Sequence, residues 1–393
     1  MQIRHSVMTL AVAAVAQFTF AQQSEIAKWD PRMAADNAVV DTNGVKWIDG
    51  KFLPIEGRWT LGDTTHYYMR LPDTLTTNVN AGVRGMRDNT SGMIFRFRTD
   101  SNFLIIRHTP LHGWHAMGHM TEVGVSGWDV YRLDKPSGKW RFVASSHLAS
   151  AEKENPGTRV KRIAWNAGDE CIINLPLYNG VKEISIGIAP GAKIEAPAPW
   201  ASGVTKPVVF YGTSITHGGC ATRPGLGFVN IVGRDLNVPV YGLGFSGSGV
   251  MEYELSDVIS KIDASCYVLD CLWNMGLKDG DRGPSRSVER NYEKFIRNLR
   301  AKRPGVPIIM AEQCDVFMNG PNDKDRFIRA LYEKLVAEGW KDLVYLSKDE
   351  MHTGDFEGTV DGCHPNDLGM MSLAKAFGKS VRKALESSSA AAK

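Results

Sequence analysis

From Val208 onward the chain alternates two hydrophobic periods, and that alternation restricts its fold more than any other feature. Short apolar runs, "VVFYG", "VPVYGLGF", "SCYVLDCLW", "VPIIMAEQ" and "DLVYLS", are separated by longer stretches with helical spacing. In "SRSVERNYEKFIRNLRAKR" the positions Val288, Tyr292, Phe295, Ile296 and Leu299 fall on one helical face; Phe327, Ile328, Leu331 and Leu335 do so in the next stretch. "PNDLGMMSLAKAFGKSVRKAL" closes the series. Apolar strands alternating with amphipathic helices imply a parallel sheet covered on both faces. In such sheets ligands bind beyond the carboxyl ends of the strands.

The preceding half has a different rhythm. Between about Lys46 and Pro190 lie short β-runs such as "GMIFRFRTD", "NFLIIRHT", "GWDVYRLD", "ECIINLP" and "KEISIGIAP", with turn residues between them. This spacing predicts an all-β sandwich of the jelly-roll kind. With 393 residues, two domains are expected. Their boundaries read as 22–195 for the sandwich and 208–387 for the α/β domain. The Pro/Ala/Gly-rich stretch 196–207 links them, and 388–393 forms a disordered tail.

At the start, "MQIRHSVMTLAVAAVAQFTFAQQ" combines a basic residue, Arg4, with an apolar run from Val7 to Phe20 and small residues at Thr19 and Ala21. That run is short for a membrane span. It reads as a signal peptide, residues 1–21, cut after Ala21, so a secreted or periplasmic protein is expected. No later stretch is apolar enough to span a bilayer. The net charge of +3, with no Lys/Arg-rich run, gives no reason to expect a nucleic-acid partner. Six cysteines allow 15 pairings; Cys220 and Cys363, which flank the candidate site, are near enough in the scheme to permit a disulfide. Oligomeric state is not legible.

Four segments at the strand ends carry reactive residue types. Ser214 follows the first strand of the α/β half, Gly247 lies after the second, Asn274 after the third, and Asp361 and His364 precede the final helix. A serine hydroxyl needs a neighbouring base to become a nucleophile. His364 would be that base, and Asp361, three residues earlier, would fix its tautomer and stabilise its cation. The oxyanion needs preorganised donors, which Ser214 N–H, the Asn274 amide and a glycine N–H would supply, the glycine being Gly247 with Gly244 and Gly249 beside it as rivals that the residues alone leave open. His217 and Asp355 stand as rival base and rival acceptor, while His217 and Trp273 are candidates for substrate contact. Trp114 and Trp128 are further candidates for stacking on a sugar ring.

These blocks, "YGTSIT", "GFSGSG", "LWNMG" and "DGCHPNDLG", resemble those of the SGNH, or GDSL, hydrolase family. That family is named for its Ser, Gly, Asn and His, here Ser214, Gly247, Asn274 and His364. Thr213 stands where the family name has Asp. "GVSGWDVYR", Gly124 to Arg132, is similar to the Gly-x-Asp-Leu-Tyr signature of a branch with an N-terminal β-sandwich. The resemblance implies a three-layer α/β/α, flavodoxin-like catalytic domain. It implies a serine esterase acting through an acyl-enzyme, with no metal or organic cofactor, on O-acyl and most readily O-acetyl groups of carbohydrate. A lipid, small-ester or thioester hydrolase and an inactive glycan-binding protein remain the alternatives. The four histidines of "HTPLHGWHAMGH", His108, His112, His115 and His119, have the density of a metal site. Gly and Pro break any helix that would align them, so a loop packed towards the active site or the domain interface is expected.

Overall fold

The computed structural model describes residues 38–391 apart from 63, 76–77, 147–156, 315–319 and 354–355, and the side chains as far as 387. The expected signal peptide, its cut after Ala21, and Asp355 lie outside the described residues.

Among the described residues, eleven strands build the N-terminal domain in two antiparallel sheets. In chain order they are β1 (Val39–Val40), β2 (Lys46–Asp49), β3 (Ile55–Glu56), β4 (Ile94–Thr99), β5 (Phe103–Pro110), β6 (Asp129–Asp134), β7 (Lys139–Ser145), β8 (Arg159–Ala164), β9 (Asp169–Asn174), β10 (Val181–Ile188) and β11 (Ile194–Glu195). One sheet runs β1-β2-β10-β5-β8; the other runs β11-β4-β9-β6-β7, with β3 added beside β4. Strand periodicity makes the sandwich. Ile184, Ile186 and Ile188 of β10 and Leu104 and Ile106 of β5 meet Phe95 and Phe97 of β4 and Cys171 and Ile173 of β9 in one buried core. Two short helices, α1 (Ala81–Gly85) and α2 (Glu122–Ser126), lie in the connections.

The second domain is a parallel sheet of β12 (Val208–Gly212), β13 (Val240–Gly244), β14 (Cys266–Asp270), β15 (Ile308–Ala311) and β16 (Leu343–Leu346), in the order β13-β12-β14-β15-β16. All residues of β12 to β15 are buried, because helices cover both faces. Alternate residues serve alternate faces. Val209 and Tyr211 pack with Leu255 and Ile259 of α5 (Tyr253–Ile259), with α6 (Val288–Lys302) through Tyr292, Phe295 and Leu299, and with α7 (Asp323–Ala337) through Ile328, Leu331 and Leu335. Val208 and Phe210 pack with α4 (Phe228–Leu236) and with Met370, Leu373 and Phe377 of α8 (Asp367–Ala391). The one-turn helix α3 (Ser214–His217) follows β12 directly. Phe327, expected inward, is only partly buried. Helix α8 continues to Ala391, into the first residues of the 388–393 stretch read as a disordered tail.

This strand order reverses direction at β12, whose neighbours are β13 and β14. The crevice at that reversal is where α/β sheets of this order bind ligands. Its floor is therefore set by the loops after β12, β13 and β14, which carry Ser214, Gly247 and Asn274.

The domains are joined by polar contacts that the N-terminal domain makes to the rim of the parallel sheet. Buried Arg70 donates to Gly242 O (3.2 Å) and Gly244 O (2.9 Å) of edge strand β13 and to Met86 O (2.6 Å), which covers an edge that would otherwise stay open. Asp129 Oδ2 accepts from Arg223 (2.7 Å) and Gly225 N (2.9 Å), and its Oδ1 accepts from Asn174 (2.8 Å). Tyr131 OH also accepts from Arg223. Asp129 and Tyr131 belong to the "GWDVY" stretch, so the polar residues of that signature form an interdomain clasp. No helix among the described residues is long and apolar enough to cross a membrane.

Candidate active site

Ser214 is the first residue of α3, where the chain leaves a buried strand and turns sharply. Thr213 caps this turn: its hydroxyl accepts from Ile215 N at 3.2 Å. A threonine thus fulfils the capping role that an aspartate in that position would also fulfil.

The loop before α8 returns to Ser214 and is pinned there. Cys220 N donates to Pro365 O (3.3 Å), while Thr222 donates from its amide (2.9 Å) and hydroxyl (2.6 Å) to the Asp367 carboxylate. Asn366 caps the helix, its side-chain oxygen accepting from Leu368 N (3.0 Å) and Gly369 N (3.1 Å). With the loop so fixed, His364 Nε2 lies 2.9 Å from Ser214 Oγ. His364 Nδ1 lies 2.7 Å from Asp361 Oδ2. Asp361 Oδ1 accepts from His364 N (2.7 Å) and Cys363 N (3.0 Å). Partial burial pushes this carboxyl up, but the bonds from the His364 amide, the His364 ring and the Cys363 amide outweigh it and hold the carboxyl at about 2. It is ionised throughout the neutral range.

Asn274 ends a short turn, Leu272–Asn274, after β14 and is buried. Assigned from its hydrogen-bond network, its side-chain oxygen accepts from Ser248 N (3.0 Å) and Gly249 N (3.1 Å), which leaves its NH2 to donate on the other side. Asn274 is therefore bound to the loop that carries Gly247. Of the four glycines in "GLGFSGSG", Gly242, Gly244 and Gly249 are buried and Gly247 is exposed. A Cβ on Gly249 would lie 2.1 Å from Gly212 O, so its role is to let two loops approach. Gly247 has φ +63° with open space around it, so glycine is favoured there by backbone conformation.

Two candidates for substrate contact are corrected by burial. His217 is fully buried, and the ring of Tyr178 stacks on it with centroids 4.2 Å apart. Burial, with Arg70 nearby, pushes its pKa far down, so it is neutral. It is neither base nor substrate contact; it is a packing residue beneath the serine turn. Trp128 is also fully buried. Trp273 is half-buried, and its indole N–H donates to Cys314 O. Trp114 is 45% exposed. Cys220 is a buried free thiol, so no bridge joins it to Cys363.

The structure brings the N-terminal domain to this site through Tyr178 and Ser91, which the sequence does not signal, and through the histidine-rich loop, as expected. Tyr178 OH donates to Ser214 O (3.2 Å), and Ser91 OH donates to His217 O (2.8 Å). The four histidines do not converge on one point: His115 acts on His108, while His112 and His119 meet other rings. His108 is buried on β5 and pushed down to about 3 by burial, with Arg159 and His115 adding to it. His112 stacks on Trp114. His119, exposed, reaches His364, with ring centroids 5.6 Å apart. Beneath the serine turn, buried Asp270 at the end of β14 accepts from Thr216 OH (2.7 Å), and burial pushes it up to about 7.

Residues 205–382 match the model of the GDSL-like lipase/acylhydrolase family, and residues 45–194 match a model described as the N-terminus of SGNH-hydrolase-type esterases. No curated protein matches the chain. Among solved structures, the chain is similar to a putative GDSL-like lipase from Bacteroides ovatus (27% identity, 87% of this chain and 98% of that one, TM-score 0.71). It also shares its fold with the salicylyl-acyltransferase SsfX3 of a tetracycline biosynthetic pathway (18%, 87% and 98%, TM-score 0.66). A family two carbohydrate esterase from Cellvibrio japonicus has the same fold (13%, 87% and 98%, TM-score 0.55).

Proposed function

We propose that this chain, whose C-terminal domain belongs to the GDSL-like lipase/acylhydrolase family and whose N-terminal domain is of the SGNH-esterase type, is an exported serine esterase that removes O-acyl groups, foremost O-acetyl, from carbohydrate. Ester hydrolysis is the activity that the family supports. The observation that carries the serine mechanism is the continuous chain of hydrogen bonds Ser214 Oγ, His364 Nε2, His364 Nδ1, Asp361 Oδ2.

In this reading Ser214 Oγ attacks the acyl carbonyl while its proton passes to His364 Nε2. Ionised Asp361 holds the Nδ1–H and stabilises the imidazolium. The negative charge that develops on the carbonyl oxygen is met by the Asn274 NH2, Gly247 N–H and Ser214 N–H. His364 then protonates the departing alcohol, and water, deprotonated by His364, releases the acid and restores Ser214. The carbohydrate assignment is supported by the export signal read in residues 1–21 and by exposed Trp114, which offers a flat apolar face on the loop that also carries His119.

The test pairs wild type with Ser214→Ala on p-nitrophenyl acetate, then measures acetate released from acetylated polysaccharides beside lipid esters. Loss of turnover in the variant and preference for the polysaccharides are expected. Equal rates for the two proteins would overturn the serine mechanism, and a preference for lipid esters would overturn the substrate.

A further inference from the structure

We propose that His119, Cys220 and His364 form a soft-cation site at the mouth of the active site, and that Zn2+ bound there inhibits the enzyme by occupying its base; the inhibitory part rests on the role of His364 proposed above. One ligand atom from each of the three residues lies within 4.8 Å of the other two. Tetrahedral zinc, with bonds of about 2.0 Å to nitrogen and 2.3 Å to sulfur, needs such atoms about 3.3–3.6 Å apart. The required closure is small, and it falls on the residue best able to move, the exposed imidazole of His119.

The other two ligands are held. Cys220 is tied to the His364 loop through its amide, which donates to Pro365 O at 3.3 Å. His364 has Nδ1 engaged by Asp361 at 2.7 Å, so Nε2 is the atom it offers. A carboxylate on the far nitrogen of a ligating histidine is the arrangement that orients such a ligand in zinc sites. His119 is delivered by a loop whose ends are anchored. Met117 and Met120 pair through their backbones, and Thr121 OH donates to Thr222 O, two residues beyond Cys220.

Two imidazoles and a thiol favour zinc or cobalt over magnesium or calcium. On binding, the Cys220 S–H bond breaks, its proton leaves to solvent, and a sulfur–metal bond forms with no change of oxidation state. The metal takes the Nε2 lone pair that accepts from Ser214 Oγ, so the serine loses its base. A fourth position stays open to water, and binding is reversible by a chelator.

The experiment uses the full-length protein. Zn2+ inhibition of p-nitrophenyl acetate hydrolysis is titrated for wild type and His119→Ala, each against its own uninhibited rate, with Mg2+ as control. Independently of activity, Co2+ is added and the near-ultraviolet sulfur-to-cobalt charge-transfer band is recorded for wild type and Cys220→Ser. Expected are inhibition by Zn2+ and not Mg2+, a half-inhibitory Zn2+ concentration at least about tenfold higher in His119→Ala, and a cobalt band that Cys220→Ser abolishes. Absence of the band in wild type, or equal Zn2+ sensitivity of His119→Ala, overturns the site. A cobalt band without Zn2+ inhibition overturns the inhibitory role alone. A protein with no esterase activity would refute the function proposed above while the cobalt spectrum still decides the site.

Discussion

The ring of Tyr178 lies flat on that of His217, centroids 4.2 Å apart and planes 12° from parallel, and its hydroxyl donates to Ser214 O at 3.2 Å. One residue of the β-sandwich thus supports both ends of the turn that carries the candidate nucleophile. Tyr178→Phe keeps the stacking and removes the donor. It should cost about 1 kcal/mol in urea unfolding and lower kcat less than tenfold, by roughly the cost of a small displacement of Ser214. Tyr178→Ala should destabilise by about 3–5 kcal/mol, because it also leaves a cavity.

Asn274 has two separable tasks. Its oxygen holds the Ser248 and Gly249 amides, and its NH2 is the proposed oxyanion donor. Asn274→Asp keeps the acceptor and replaces the donor with a negative oxygen. Steady-state kinetics should show kcat reduced by about 10²–10³ with KM little changed. Unchanged kcat would remove Asn274 from the oxyanion site.

Asp270 makes stability depend on pH. Burial raises its carboxyl in the folded protein to about 7 from 3.8, so between these values the folded state binds more protons than the unfolded one. Stability therefore falls as pH rises from about 4 to 7, and the penalty is complete above 7. Asp270→Asn retains an acceptor for Thr216 OH and removes the penalty. Urea unfolding at pH 5 and pH 8 should find the variant's advantage larger at pH 8, by up to about 2.5 kcal/mol.

The interdomain clasp can be opened at one residue. Asp129 is fully buried and accepts from Arg223, Gly225 N and Asn174. Asp129→Ala leaves these donors unpaired and should cost about 3 kcal/mol, whereas Asp129→Asn, which keeps an oxygen in place, should cost less. Chemical denaturation of both variants checks the order.

Asp361 is held at about 2 by its bonds to the His364 and Cys363 amides and the His364 ring. Its charge persists above that value, so titration of Asp361 puts no limb in the activity profile between about pH 4 and about pH 8, and Asp361→Asn should lower kcat throughout that range. A pH–rate comparison of wild type and variant checks this; a limb present in wild type and absent from the variant would contradict it.

Much of the architecture was legible in the chain because it is encoded by local period. Runs such as "VVFYG" admit only strands covered on both faces. The spacing of Val288, Tyr292, Phe295, Ile296 and Leu299 describes one helical face, and all five are buried. Ser214, Gly247 and Asn274 stand out because each lies in a short block just after a strand, and Asp361 and His364 because their block directly precedes the final helix. What the period could not convey is which side chains meet across distant segments. His217 lies three residues from Ser214 and is sealed under Tyr178, while His364, 150 residues away, is hydrogen-bonded to it. The same holds for His119 at the edge of His364 and for Asp129 on Arg223. Hydrophobic period specifies the face a residue presents within its own element. Only the docking of the two domains and the path of the loop before α8 decide what lies opposite that face.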